Sequence, residues 1–180
     1  MYHISDDIRA QKSAQRICNA LIDCAKHTSF DEITIADLHK DYLISRTTFY
    51  RLFDNTVDVL EYMVDRMARE ILLNLCGNTP KELVINAIIA LEERRELIEL
   101  LSKSGHLDIL QKKGEEYLPM SKLAIGLDFD YAYKYFHKIL AHLIPLALDI
   151  WVTNGQTDSP VELYNKLCQS IQILRMWFSH

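Results

Sequence analysis

Apolar residues return every three or four positions along nearly the whole chain, and that spacing restricts it to helices packed on helices. One stripe runs through Ala10, Ala14, Ile17, Leu21 and Cys24, and a later one through Val57, Leu60, Val64, Met67 and Ile71. On a backbone of 3.6 residues per turn each stripe makes one apolar face that must be covered. The five glycines, Gly77, Gly105, Gly114, Gly126 and Gly155, fall where the periodicity lapses, so everything before Gly77 reads as one glycine-free unit. The fold class expected is all-α.

Helix starts support this division. A Ser or Thr oxygen accepts from a free N–H at a helix start, and an acid three residues on reciprocates. Thr34-Ile-Ala-Asp37, Thr79-Pro-Lys-Glu82 and Ser159-Pro-Val-Glu162 all have this form, the last two with proline at the first helical position. Phe129, Tyr131, Tyr133 and Tyr135 alternate with a strand-like period of two, but they run into the helical stripe Tyr135, Ile139, Leu143, Leu146 and Ile150, so a long helix is expected from there. Pro145 removes one of its backbone hydrogen bonds and should kink it near Ala141.

Composition narrows the function. With 49% hydrophobic residues among 180, the chain can bury a sizeable core. No run approaches the ~20 apolar residues of a membrane span, and the opening residues carry acids where a secretory signal would be basic and then apolar, so a cytoplasmic location is expected. Cys18, Cys24, Cys76 and Cys168 form no C-x-x-C pair and are expected as reduced, largely buried thiols. Among the seven histidines, His137 and His142 miss the spacing that puts two ligands on one helix face, so no metal is expected. No hydrolase, P-loop, dinucleotide or zinc-protease motif is present, and neither an enzyme activity nor a cofactor is expected. A net charge of -5 argues against unselective coating of nucleic acid while allowing one small binding face.

That face is indicated by Leu-Ile-Ser-Arg-Thr-Thr-Phe-Tyr-Arg-Leu-Phe, residues 43–53. A long helix over about residues 7–27, a short one over 35–41, a turn at 42–44 and another short helix over 46–52 together suggest a helix-turn-helix. Phe30, Ile33, Leu38, Ile44, Phe49 and Phe53 supply its core and leave Arg46, Thr47, Tyr50 and Arg51 outside. A helix opening at Ser45 offers free N–H groups and a positive dipole end to a phosphate. Arg46 can meet the paired acceptors of a guanine, a threonine methyl can touch thymine, and Tyr50 can reach a backbone phosphate.

The segment Ile33–Leu60 resembles the DNA-binding domain of the TetR family of bacterial transcriptional regulators: a Thr34-capped second helix, a Ser45-led third helix carrying Thr48-Phe49-Tyr50 and closing at Phe53, and a fourth helix through Asp58-Val59-Leu60. The resemblance implies a homodimer that reads a near-palindromic double-stranded DNA operator as a ligand-responsive repressor, with DNA contacts at Thr34, Ser45, Arg46, Thr47, Thr48, Tyr50, Arg51, Asn55 and Thr56. It divides the chain into a DNA-binding domain (1–54), a connecting helix (55–77) and a helical ligand-binding and dimerisation domain (78–180). Three family features differ. Tyr42 and Leu43 stand where a small residue and glycine are usual in the turn, Leu52 where a histidine is common, and Thr56 where a lysine is common. Residues 1–55 hold seven basic against eight acidic side chains, so modest, salt-sensitive affinity is expected. These departures motivate an alternative: a helical effector-sensing or partner-binding dimer whose helix-turn-helix does not bind DNA.

The resemblance extends to the last two helices, which imply a four-helix dimer seam; Leu163, Leu167, Ile171, Leu174 and Phe178 form a stripe too apolar for a solvated terminal helix. It also implies a small-molecule effector pocket, for which Tyr117, Met120, Tyr135, His142 and Trp151 are candidates as aromatic walls with polar tips.

Overall fold

The computed structural model describes residues 2–121 and 132–178. Nine α-helices make up the described chain: α1 (Ile8–Ala25), α2 (Ile35–Tyr42), α3 (Arg46–Leu52), α4 (Thr56–Leu73), α5 (Pro80–Glu92), α6 (Arg95–Lys103), α7 (Leu107–Tyr117), α8 (Ala132–Thr153) and α9 (Pro160–Phe178). Short 3-10 turns at Phe30–Glu32 and Leu118–Met120 complete it, and the fold is all-α as expected.

The starts follow their capping residues. The Thr34 hydroxyl accepts from the Asp37 N–H at 3.3 Å while the Asp37 carboxylate accepts from the Thr34 N–H at 2.9 Å, a complete box. Ser159 and Glu162 form another. At α5 the box is offset by one residue: Thr79 caps the Glu82 N–H, but the Glu82 carboxylate reaches back to the Asn78 N–H at 2.8 Å.

α4 is the spine. Its buried residues include Val59, Leu60 and Met63 near the start and Met67, Ala68 and Ile71 near the end. α1 packs against α2, α3, α4 and α6, while α4 packs against α5 and α7 and α7 against α8. One apolar core runs without a break from Ala14 and Phe49, through Tyr62 and Met63, to Leu101, Leu148 and Trp151. A smaller cluster of Ala68, Leu72, Tyr117, Leu118 and Ala141 joins α4, α7 and α8. α7 and α8 approach closely at Gly114, where an added Cβ would lie 3.3 Å from that of Ala141.

A polar cluster pins α7 to α4 inside this packing. The Asp65 carboxylate, on a residue 7% exposed, accepts from Lys113 Nζ at 2.7 Å and from the Tyr117 hydroxyl at 3.0 Å. The Tyr117 oxygen in turn accepts from Arg69 at 3.1 Å. Burial pushes Asp65 up, but the hydrogen bonds from Lys113 and Tyr117 outweigh it and hold the carboxyl below its ordinary range.

Two expectations need correction. The long helix expected here is α8, Ala132–Thr153, with Pro145 inside it. Its stretch Tyr135–Thr153, one third buried and with mean hydropathy 1.2, is by length and composition apolar enough to cross a membrane, contrary to the expectation that no segment approached that limit. Of the cysteines only Cys18 is buried; Cys24 and Cys168 are half-buried and Cys76 is exposed. The alternating residues Phe129 and Tyr131 lie outside the described residues.

Candidate nucleic-acid interface

The pair α2–α3 is held by its apolar side. Leu38, Ile44, Phe49, Leu52 and Phe53 are each at most 4% exposed, and the tilted rings of Phe49 and Phe53 meet at 5.9 Å between centroids. Burying a side chain of this size contributes roughly 2 kcal/mol. Since α3 has only seven residues, this packing, and not helix propensity, keeps it formed.

The turn between the helices is left-handed. Leu43 has φ 55° and ψ 34°, the conformation that glycine adopts most readily, and its side chain is 80% exposed. Leucine takes up this strained conformation in place of the glycine usual in the turn. Hydrogen bonds enforce it. The Leu43 N–H donates to the His39 carbonyl at 3.1 Å, the Ile44 N–H to the Leu38 carbonyl at 3.4 Å, and Arg16 of α1 donates to the Tyr42 carbonyl at 3.3 Å. His39 Nδ1 lies 3.2 Å from the Ile44 carbonyl, so as a donor it closes the turn from the side. Neither Arg16 nor His39 stood out in the sequence, because Arg16 lies 26 residues from its partner and His39 carries no motif.

What faces solvent is Arg46, Thr47, Tyr50 and Arg51. Arg46, Thr47 and Arg51 make no hydrogen bond or ion pair with any described residue, and Tyr50 packs edge-on against Phe49 with its ring 56% exposed. The other candidates have structural duties. The Ser45 oxygen caps the Thr48 N–H at 3.1 Å and shares a hydrogen bond with the Thr48 hydroxyl at 2.8 Å. Asn55 caps the Asp58 N–H at 2.9 Å at the start of α4, where Thr56 is half-buried. Thr34 donates its hydroxyl to Asp37 at 2.6 Å, and hydrogen bonds from that hydroxyl and from the Thr34 N–H hold the Asp37 carboxyl below its ordinary range. A carboxylate thus already sits at the α2 N-terminus, which makes it a poorer phosphate seat than the α3 N-terminus.

The N-terminal arm braces the far end of α3. Tyr2 forms an isolated β-bridge with Phe53, the His3 N–H donates to the Leu52 carbonyl at 2.8 Å, and the Tyr2 ring meets Tyr62 of α4 at 5.3 Å.

Among the described residues, the five pocket candidates do not line either of the two cavities together. Tyr117 is committed to Asp65 and Arg69. Met120 and Tyr135 are exposed. His142 lies on the surface, where Nδ1 donates to the Lys138 carbonyl at 2.7 Å and Nε2 accepts from the Gln111 amide at 3.0 Å. Trp151 is buried, donates to the Asp158 carbonyl at 3.2 Å and borders a void of about 10 Å³, room for one water at most. A cavity of about 480 Å³ lies elsewhere, between α1, α4 and the α5–α6 corner. Of the dimer-seam candidates, Leu163 is turned into the chain's own core and Leu167 is half-buried against it, whereas Ile171 and Leu174 are more than half exposed; Phe178 ends α9 with its side chain outside the described residues.

Fold and exposed helix together define a class: a helix-turn-helix head continued by a helical body. Comparison with solved structures places the chain in the same class. It matches a TetR transcriptional regulator from Streptococcus agalactiae 2603V with a TM-score of 0.63 at 18% identity, covering 87% of this chain and 91% of that one. It also matches DhaS, described as the dihydroxyacetone kinase operon activator, with a TM-score of 0.62 at 15% identity, covering 90% of this chain and 95% of the other. The fold is that of TetR-type regulators. No protein-family model matches the sequence. No curated protein matches it either.

Proposed function

We propose that the chain is a TetR-like, DNA-binding transcriptional regulator that works in the cytoplasm as a homodimer on a near-palindromic operator, as a ligand-responsive repressor. The observation that supports this most is the α3 surface. Arg46, Thr47, Tyr50 and Arg51 stand clear of the fold, and the two arginines are free to bind acceptors from outside. On this reading residues 1–54 are the reading head, 55–77 the connecting helix and 78–180 the body. The α3 N-terminus seats a phosphate, Arg46 reads a base edge and Tyr50 touches the backbone. Two copies of α3 would address successive major grooves about 34 Å apart. Ile171 and Leu174 on α9, with Ile139, Leu146 and Ile150 on α8, are apolar and exposed and would form the seat for a second subunit.

Selection from a random DNA pool at moderate salt tests this. Wild type should enrich an inverted repeat, and Arg46→Ala should not. If neither protein enriches anything while both are folded dimers, the regulator reading fails. The alternative, a partner-binding dimer with a silent helix-turn-helix, is favoured by the commitment of Thr34 to Asp37 and by the acidic balance of the head; it predicts that Arg46→Ala and Tyr50→Phe leave every binding activity unchanged.

A further inference from the structure

The cavity between α1, α4 and the α5–α6 corner lies where the head meets the body, and its volume of about 480 Å³ is within the range of small-molecule sites. Its floor is apolar: Cys18, Met63, Met67 and Leu97 are each at most 8% exposed. Its wall carries charge of both signs, but most of that charge is already matched. Arg94 binds Glu70 at 2.8 Å and Glu93 at 3.4 Å, Glu96 is held by Lys26 at 2.9 Å, and Arg95 by Glu92 at 2.9 Å.

Arg66 is different. Its Nη1 donates to the Gln15 amide oxygen at 2.7 Å, its guanidinium stands 5.6 Å from the centre of the Tyr62 ring, and it pairs with no carboxylate among the described residues. Gln15 in turn donates to the Asn19 amide oxygen at 2.9 Å, and the Asn19 NH2 group at the same wall donates to no described residue. A guanidinium presents five donors in a planar fork that fits a carboxylate, and only one of them is engaged here.

We propose that this cavity binds a small amphipathic monocarboxylate, with its carboxylate on Arg66 and the Asn19 amide and its apolar part on Cys18, Met63, Met67 and Leu97. The site is built jointly by α1, which supports the reading head, and by α4 and α6. The Lys26–Glu96 pair and the Phe30–His106 ring contact at 5.3 Å tie the same head to α6 and its C-terminal corner. Filling the cavity therefore alters how the head is seated, a second step that rests on the regulator reading.

Calorimetric titration without DNA tests the binding step. The probes are straight-chain and aryl monocarboxylates of about six to ten carbons, a size suited to such a cavity, beside their primary amides. At least one acid should bind and shift the amide resonances of Asn19, Arg66 and Leu97. Its amide should bind at least about tenfold more weakly, Arg66→Met should lose at least about tenfold in affinity, and Arg66→Lys should recover part of it. Failure of every acid to bind, equal binding of acid and amide, shifts confined to another region, or unchanged affinity in folded Arg66→Met would overturn the proposal. Where Arg66→Met does not fold, the acid–amide comparison on wild type decides alone. Acid binding by a protein that selects no DNA would leave the pocket standing and remove the regulator reading; DNA selection with no acid bound would do the reverse.

Discussion

At Leu43 a branched side chain occupies a left-handed backbone position and is 80% exposed. The conformation costs a residue with a Cβ about 1–2 kcal/mol, and little burial is gained in return. Leu43→Gly should therefore stabilise the protein by about 0.5–1 kcal/mol after glycine's greater chain entropy is subtracted. Chemical unfolding would show this as a higher midpoint with an unchanged slope, and a lower midpoint would mean that the leucine makes a compensating contact. The free arginines of α3 follow a different logic. Arg46→Ala and Arg51→Ala should leave the unfolding midpoint within about 0.5 kcal/mol of wild type, as for surface positions without partners, so any loss of DNA selection would not trace to misfolding.

Between elements, the Asp65 cluster makes the clearest demand. Asp65→Asn keeps the size but gives up the charge that binds Lys113 and Tyr117, and should cost about 2–3 kcal/mol at neutral pH. Because the folded carboxyl lies below its ordinary value, its stabilisation is fully present above about pH 4–5 and fades as the pH falls through the folded value. The gap between wild type and Asp65→Asn, measured by unfolding at pH 7 and again near pH 3, should narrow in acid; a constant gap would assign the loss to packing. Much at this scale was legible beforehand. The Ser45 start and the apolar spacing through Phe49 and Leu52 gave α3 its observed limits, Arg46–Leu52, because cap and stripe are local signals. The α1–α4–α6 cavity was not legible: Cys18, Arg66 and Leu97 are dozens of residues apart, and only the crossing of three helices puts them side by side. Aromatic character alone does not fix position for the same reason: of the five pocket candidates, Tyr117 and Trp151 are buried while Met120, Tyr135 and His142 are exposed.

At the scale of the whole molecule, the exposed apolar residues of α8 and α9 ask for a cover. On the proposed homodimer, Ile171→Glu with Leu174→Glu should leave helicity unchanged and give a monomer where wild type sediments as a dimer; a dimer that survives both changes would place the seam elsewhere. The continuous core sets a further limit. Tyr62 and Met63 of α4 pack in the same apolar mass as Phe49 and Phe53, so the proposed head, residues 1–54, shares its core with the helix that follows it. If the chain is the regulator proposed, this head is not a cassette that can be cut out and carried to another regulator to change its target. A working hybrid would have to take α4 along and be rejoined beyond Leu73, where the spine ends.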